Sequence, residues 1–316
     1  RSAPAVEPSP ASAVAFAPAE WRLAVLPDTQ VYSLNHPGVF SLQTDWIRRN
    51  ARSMSFEYVL HLGDLVNNNT DREWDRAATA LNELNDAVPY AVVPGNHDYG
   101  PSGDASTRDT LMNNYLDIEH CFRMPTFGGA MQDRKLDNTY HLFEAGGREW
   151  IVIALEWGPR DSTIDWANEV MAAHPGRSGI LITHAYMNNN DFRYDINDQQ
   201  RPQAYNPHHY STPGGVNDGE ELWNKLVRKH RFELVFNGHV LGDGTGYRVD
   251  TTDLGNACHQ MLSNFQMRTL GGEAYMRVLE FMADGHTVHV RSYSPLHDRF
   301  LTTPDQNFTI NLSPRE

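Results

Sequence analysis

Five short apolar runs in this 316-residue chain each stop at side chains that bind cations. They are RLAVLPDTQ, FEYVLHLGD, YAVVPGNHD, GILITHAY and FELVFNGH, and they end in Asp28 with Gln30, Asp64, Asn96 with His97, His184, and His239. Carboxylates, carboxamide oxygens and imidazoles are the donors from which protein sites for Mn, Fe, Mg, Ca or Zn are built. One run ending in Asp or His means little, because polar strand ends are normal. Five in succession point to one place where these groups converge. The last motif holds a puzzle: in FNGHVLGDG, the position two after His239 should carry another metal-binding side chain, and it is Leu241.

Short β-branched runs bounded by Gly, Asn or Pro read as buried strands. Helical patterns lie between them. TDREWDRAATALNELND sets Trp74, Ala77, Leu81 and Leu84 on one face, with Thr70 and Glu73 as a capping-box signature. STIDWANEVMAAH and ELWNKLVRKH repeat the helical period. Strands alternating with helices predict an α/β layer architecture, in which sites gather at the carboxyl ends of strands. After Asp243, AYMRVLEF and HTVHVRSYSP flank ADG and predict an antiparallel C-terminal hairpin turning at Asp284-Gly285.

Apolar residues make up 40% of the chain, an ordinary value for a globular protein. The formal charge of −14 argues against nucleic acid or an anionic membrane surface as a main partner, since both need clustered Lys and Arg. No apolar stretch approaches the roughly 18 residues needed to span a bilayer. Two cysteines, Cys121 and Cys258, exclude a disulfide scaffold and a Cys-built zinc site; a single disulfide or two buried thiols remain. Ala, Pro and Ser fill 14 of the first 20 positions, so residues 1–20 read as a linker ahead of one domain over 21–316. That composition suggests a mature exported protein, secreted or periplasmic, whose signal peptide has been removed.

The pieces DTQ at 28–30, GDLVN at 63–67, GNHD at 95–98, TH at 183–184 and GH at 238–239 resemble, in order, those of the calcineurin-like metallophosphoesterases. The GNHD behind GDLVN at about thirty residues is the specific part. The resemblance implies a four-layer α/β/β/α sandwich of two mixed sheets. It also implies two metal ions bridged by Asp64, one held with Asp28 and Gln30, the other with Asn96, His184 and His239. Two cations about 4 Å apart need a shared carboxylate, bind phosphate oxygens, and can deprotonate a bridging water for in-line attack. His97 would stabilise the phosphoryl charge with Asn96 and protonate the leaving group, with Asp98 fixing its tautomer.

Two positions depart from the family pattern. Gln30 stands where His is usual, and Leu241 cannot coordinate anything. The first site is left with Asp28, Gln30 and Asp64, an oxygen set that favours Mn, Mg, Ca or Fe over Zn. Water, Asp243 or His259 are the candidates to complete it, His259 reading more readily as a packed strand residue. GHTVHV at 285–290 is read as hairpin rather than metal motif.

The long polar stretch from Asn188 to Gly219 could wall the substrate pocket, with Arg193 on phosphate oxygens, His209 beside it, and Tyr194 or Tyr205 available as an aromatic clamp. Asn67 is a further candidate substrate contact. The expected activity is hydrolysis of small-molecule phosphate mono- or diesters. A nucleotide or pyrophosphate hydrolase, or a degenerate metal-binding module, are the alternatives.

Overall fold

The computed structural model describes residues 15–314, and residues 1–14 of the expected linker lie outside them. In chain order the strands are β1 (Trp21–Leu26), β2 (Phe56–His61), β3 (Tyr90–Val92), β4 (Phe127–Ala130), β5 (Thr139–Ala145), β6 (Arg148–Ala154) and β7 (Ser178–Ile182). They continue as β8 (Phe232–Asn237), β9 (Thr245–Thr251), β10 (Ala257–Ser263), β11 (Met276–Phe281), β12 (Thr287–Ser294), β13 (Arg299–Phe300) and β14 (Asn307–Asn311). Three helices near the site are α1 (Gln30–Asn35), α2 (Pro37–Asn50) and α3 (Asp71–Asn82).

The strands form two mixed sheets. One runs β13-β12-β11-β1-β2-β3 with β14 also on β12; the other runs β4-β5-β6-β7-β8-β10-β9. β1, β2 and β3 are parallel, as are β6, β7, β8 and β10, while the outer strands are antiparallel. The central strands are apolar throughout because each covers a core on both faces. On β1, Leu23 and Val25 face the other sheet beside Val152, Ile180 and Phe236, while Ala24 and Leu26 pack with Phe40, Ile47 and Trp74 of the helices. On the far side, Ile151, Leu181 and Val235 meet Ile164, Ala167 and Leu222 of the outer helices Asp161–Ala173 and Gly219–Lys225. These three cores separate the four layers of the calcineurin-like fold.

The hairpin forms as read, with Met276 to Phe281 paired against Tyr293 to Val288 and Gly285 at φ +77°. His289 sits opposite Glu280 in that ladder and His286 is exposed, so GHTVHV is hairpin. The capping box expected at Thr70 does not form, as Thr70 caps α3 without a side-chain bond. Glu73 is buried and turns instead to the loop after β2, accepting the Asn67 N–H at 2.9 Å and the Asn68 N–H at 2.7 Å. Two open amides are a larger demand on a buried carboxylate than one helix end.

Residues 15–20, expected as linker, are docked. Phe16 packs on Trp46, Tyr293 and Phe300 with ring centroids 4.8–5.8 Å apart, and Ala17 accepts a bond from Arg22. Cys121 and Cys258 are free and buried in different cores, one on each outer side of the sandwich. Among the described residues no helix is long and apolar enough to cross a membrane.

Trp74 is fully buried between α3 and the first sheet, and its indole N–H bonds Asn69 Oδ1 at 2.7 Å. Trp74→Ala should lower unfolding free energy by about 3–5 kcal/mol, read from the urea midpoint at unchanged m-value.

Candidate metal centre

The parallel strands deliver their terminal residues to one edge. Asp28 follows β1 at φ 20°, Asp64 follows β2 at φ 53°, and His239 follows β8 at φ 71°. Non-glycine residues there cost of order 1–3 kcal/mol each and persist only where surroundings over-determine them. Both Asp28 oxygens accept the His239 N–H, at 3.0 and 3.1 Å, and Oδ2 also accepts Asn264 Nδ2 at 3.1 Å. Asp64 Oδ1 accepts the His97 N–H at 2.9 Å, and its Oδ2 lies 3.1 Å from His184 Nε2. The glycines of GNHD and GH answer to these carboxylates: a Cβ on Gly95 would strike Asp64 Oδ1, and one on Gly238 would strike Asp28 Oδ1.

Each imidazole is oriented by a bond at one nitrogen. His184 Nδ1 donates to Leu62 O at 2.8 Å, which leaves the Nε2 lone pair facing Asp64 in the neutral ring. His239 Nε2 donates to Tyr205 O at 2.8 Å, which leaves Nδ1. The ligand atoms of Asp64, His184 and His239 lie within 4.8 Å of one another. Beneath them His61 is buried; its Nδ1 accepts the Gly63 N–H at 3.2 Å, so Nε2 donates to Thr29 Oγ1 at 3.0 Å.

The donors fit a cation. Gln30 Oε1 and Asn96 Oδ1 are buried without a hydrogen-bond partner. Leaving such atoms unpaired costs roughly 1–3 kcal/mol each, a cost that coordination removes. The charges agree. Burial pushes the Asp28 carboxyl up to about 7, with His184 opposing and Asp64 adding. Burial also opposes ionisation of Asp64, but His184 and His97 outweigh it and hold the group below the usual carboxylate range. Burial disfavours a proton on His184, yet Asp64 and Asp28 carry it up to about 9. Burial and His184 push His239 down to about 3, so its ring is neutral.

Several expected roles change. Asp98 does not touch the His97 ring; it accepts backbone N–H groups of Leu65 (3.1 Å), Val66 (2.9 Å) and Gly95 (2.8 Å), tying the GDLVN and GNHD turns together. The His97 tautomer is set by Asn67, whose carbonyl accepts from His97 Nδ1 at 2.8 Å, while the Asn67 side chain bonds Asn68. The Arg193 guanidinium is engaged by Glu220 (2.7 Å), Asp250 (2.6 Å) and Gln260 (2.9 Å), and stacks on Trp223. It anchors the long loop from inside. His209 is exposed and outside the ligand cluster, and Asp243 is exposed with its carboxylate on Thr245 N–H. His259 is paired with Leu234, well before the β8 terminus that precedes His239, and bonds Tyr247 and Asn311.

The long loop does wall the site, through other groups. Tyr205 contributes its carbonyl, and the Tyr210 ring lies 6.0 Å from His239 and 4.8 Å from Trp157. Asn264, which ends the strand-like run NACHQMLSN, obeys the same rule of polar strand ends and could have been found by it.

In the metal-free chain His184 holds a proton below about 9 and Asp28 below about 7, and a cation must displace both. Metal affinity should therefore rise with pH between 6 and 9, about tenfold per unit for each proton displaced, with proton release seen by calorimetry in buffers of different ionisation enthalpy. Affinity that is flat across that range would contradict this electrostatic account.

A model of the calcineurin-like phosphoesterase family matches residues 22–243, which contain every candidate ligand from Asp28 to His239. The uncharacterized protein YvnB of Bacillus subtilis (strain 168) is 29% identical over 311 residues, a match that covers 91% of this chain and 21% of the relative. The chain thus spans about a fifth of the length of that curated relative. The purple acid phosphatase PPD1 from yellow lupin (Lupinus luteus) seeds shares the fold at a TM-score of 0.55 and 14% identity, over 92% of this chain and 53% of that one. With the family model spanning well over half of its length, and with the motif residues gathered at one sheet edge, the chain belongs to the calcineurin-like phosphoesterase family.

Proposed function

We propose that the protein is a metal-dependent hydrolase of small-molecule phosphate mono- or diesters, working at a two-metal centre. The observation that carries this is the convergence of Asp64, His184 and His239 beside the orphaned Gln30 and Asn96 oxygens. Asp28, Gln30 and Asp64 would hold one ion, and Asp64, Asn96, His184 and His239 the other. The oxygen-rich first set favours Mn, Fe, Mg or Ca over Zn. When bound, two such ions supply Lewis acidity toward the phosphate and lower the pKa of a water nucleophile. The composition of residues 1–20 supports an exported protein.

The residues divide the remaining work. Asp64 is the shared carboxylate, held by the His97 N–H at Oδ1. The Asn96 carboxamide offers Oδ1 to an ion and keeps its N–H groups for a phosphoryl oxygen. Because His97 Nδ1 is committed to Asn67 O, the proton that His97 can move is the one on Nε2, which goes to the departing alkoxide. Asp98 sustains both turns without touching the substrate. Trp157, Tyr210 and the Tyr205 backbone pack about His239 and keep bulk water from that side.

One observation favours a nucleotide as the ester. Tyr205 is 47% exposed while its carbonyl is fixed on His239, so an aromatic face stands at the site, whereas Tyr194 is buried with its hydroxyl on Ala204 O. Tyr205→Ala should then raise KM for nucleotides several-fold and leave p-nitrophenyl phosphate unchanged.

Elemental analysis of the purified chain, with hydrolysis of p-nitrophenyl phosphate and its bis ester after metal loading, tests the main reading. His97→Ala should lower kcat by about 10²–10⁴ at unchanged metal content. Asp64→Ala should lose both ions, and two ions retained there would refute the bridge. A chain without hydrolysis under any cation would instead be a non-catalytic metal-binding module.

A further inference from the structure

Leu241 leaves the first cation of that reading one donor short, and the described residues nearest in sequence do not replace it. Asp243 is exposed, and His259 is spent on Tyr247 and Asn311. We propose that the missing donor comes from the segment Asn264–Gln266: the Gln266 carboxamide oxygen ligates the first cation, and Asn264 is a positioning residue that holds Asp28 for it. This rests on the two-metal reading.

Three observations converge on Gln266. The first is its Oε1, buried without any hydrogen-bond partner, in the same condition as Gln30 Oε1 and Asn96 Oδ1. The second is its attachment. Asn264 Nδ2 bonds Asp28 Oδ2 at 3.1 Å, and Asn264 Oδ1 accepts the Gln266 N–H at 3.0 Å, so one carboxamide links the Gln266 backbone to the Asp28 carboxylate. With Oδ1 on an N–H donor, the orientation of the Asn264 amide is determined.

The third is the course of the loop. Beyond Gln266 it lies along α1, where Gly271 abuts Val31, Gly272 abuts Tyr32, and the Ala274 N–H bonds Tyr32 Oη at 3.0 Å. The loop therefore touches Asp28 on one side of Gln266 and Val31 and Tyr32 on the other, alongside the stretch that carries Gln30. Holding this course requires positive φ at five consecutive residues, including Leu270 (56°), Glu273 (52°) and Ala274 (57°). Strain of that kind persists where other contacts over-determine a loop. A neutral carboxamide in place of an imidazole also keeps the first site all-oxygen and hard, consistent with Gln30.

The test is Mn(II) titration of metal-stripped protein, read as free Mn(II) by electron paramagnetic resonance. Wild type should bind two ions. Gln266→Ala should weaken one of them by about 10–100-fold and leave the other unchanged. Gln266→Glu should bind at least as tightly as wild type, which separates lost ligation from a misfolded loop. Leu241→His combined with Gln266→Ala should restore binding of the first ion and shift its preference toward Zn(II). Asn264→Ala should weaken the same ion. Two ions bound by Gln266→Ala with wild-type affinity would overturn this assignment and leave the phosphoesterase reading standing. A wild-type chain that binds no Mn(II) would overturn both.

Discussion

Asp28 and Asp64 are buried together, and most of the local structure answers to that. Two like charges in a low-dielectric interior repel strongly, and each alone would shed its charge by taking up a proton. The chain meets the demand with fixed donors: the His239 and Asn264 N–H groups on Asp28, the His97 N–H and the His184 ring on Asp64. Protons on His184 and Asp28 supply the rest of the balance near neutral pH. The left-handed backbone at Asp28, Asp64 and His239, and the absence of side chains at Gly95 and Gly238, are the steric terms of the same arrangement.

The two sheets make this affordable. A long parallel ladder holds β1, β2 and β3 rigidly, and a second holds β7, β8 and β10, so turns at their carboxyl ends can be strained without moving. Buried polar pins reinforce the turns. His61 supports Thr29 from below, Asp98 clamps three amides, and Glu73 holds Asn67, whose carbonyl in turn holds the His97 ring. Through that last chain of contacts a residue on α3 reaches the His97 ring.

The sheets, the hairpin and the convergence of the candidate donors were legible because each is written in side-chain type. A continuous apolar run marks a strand covered on both faces, and an Asp or His at its end stands out against it. Roles within the site were less legible. Asp98 follows His97 in the chain, which suggested a side-chain pair, but the tight turn points it back at three amides. Arg193 and His209 lie in a loop with no period to say which way a side chain faces. The contacts that orient His184, His239 and His97 come from carbonyls of Leu62, Tyr205 and Asn67, and a carbonyl leaves no mark in a sequence. Asn264 ends a run whose imidazole, His259, is the more conspicuous donor type, and a carboxamide there stands out less.

The partners of Asp28 lie 211 and 236 residues further along the chain, at His239 and Asn264. During synthesis, Asp28 therefore leaves the ribosome long before anything that can shelter its charge. Contacts of such separation form late, since the loop they close must first be paid for in entropy. The N-terminal strands can pair early, yet their most charged edge stays wet until β8 and β10 arrive. A chain interrupted before residue 239 would carry four of the five motifs complete, and still be unable to bury the residue that begins the site.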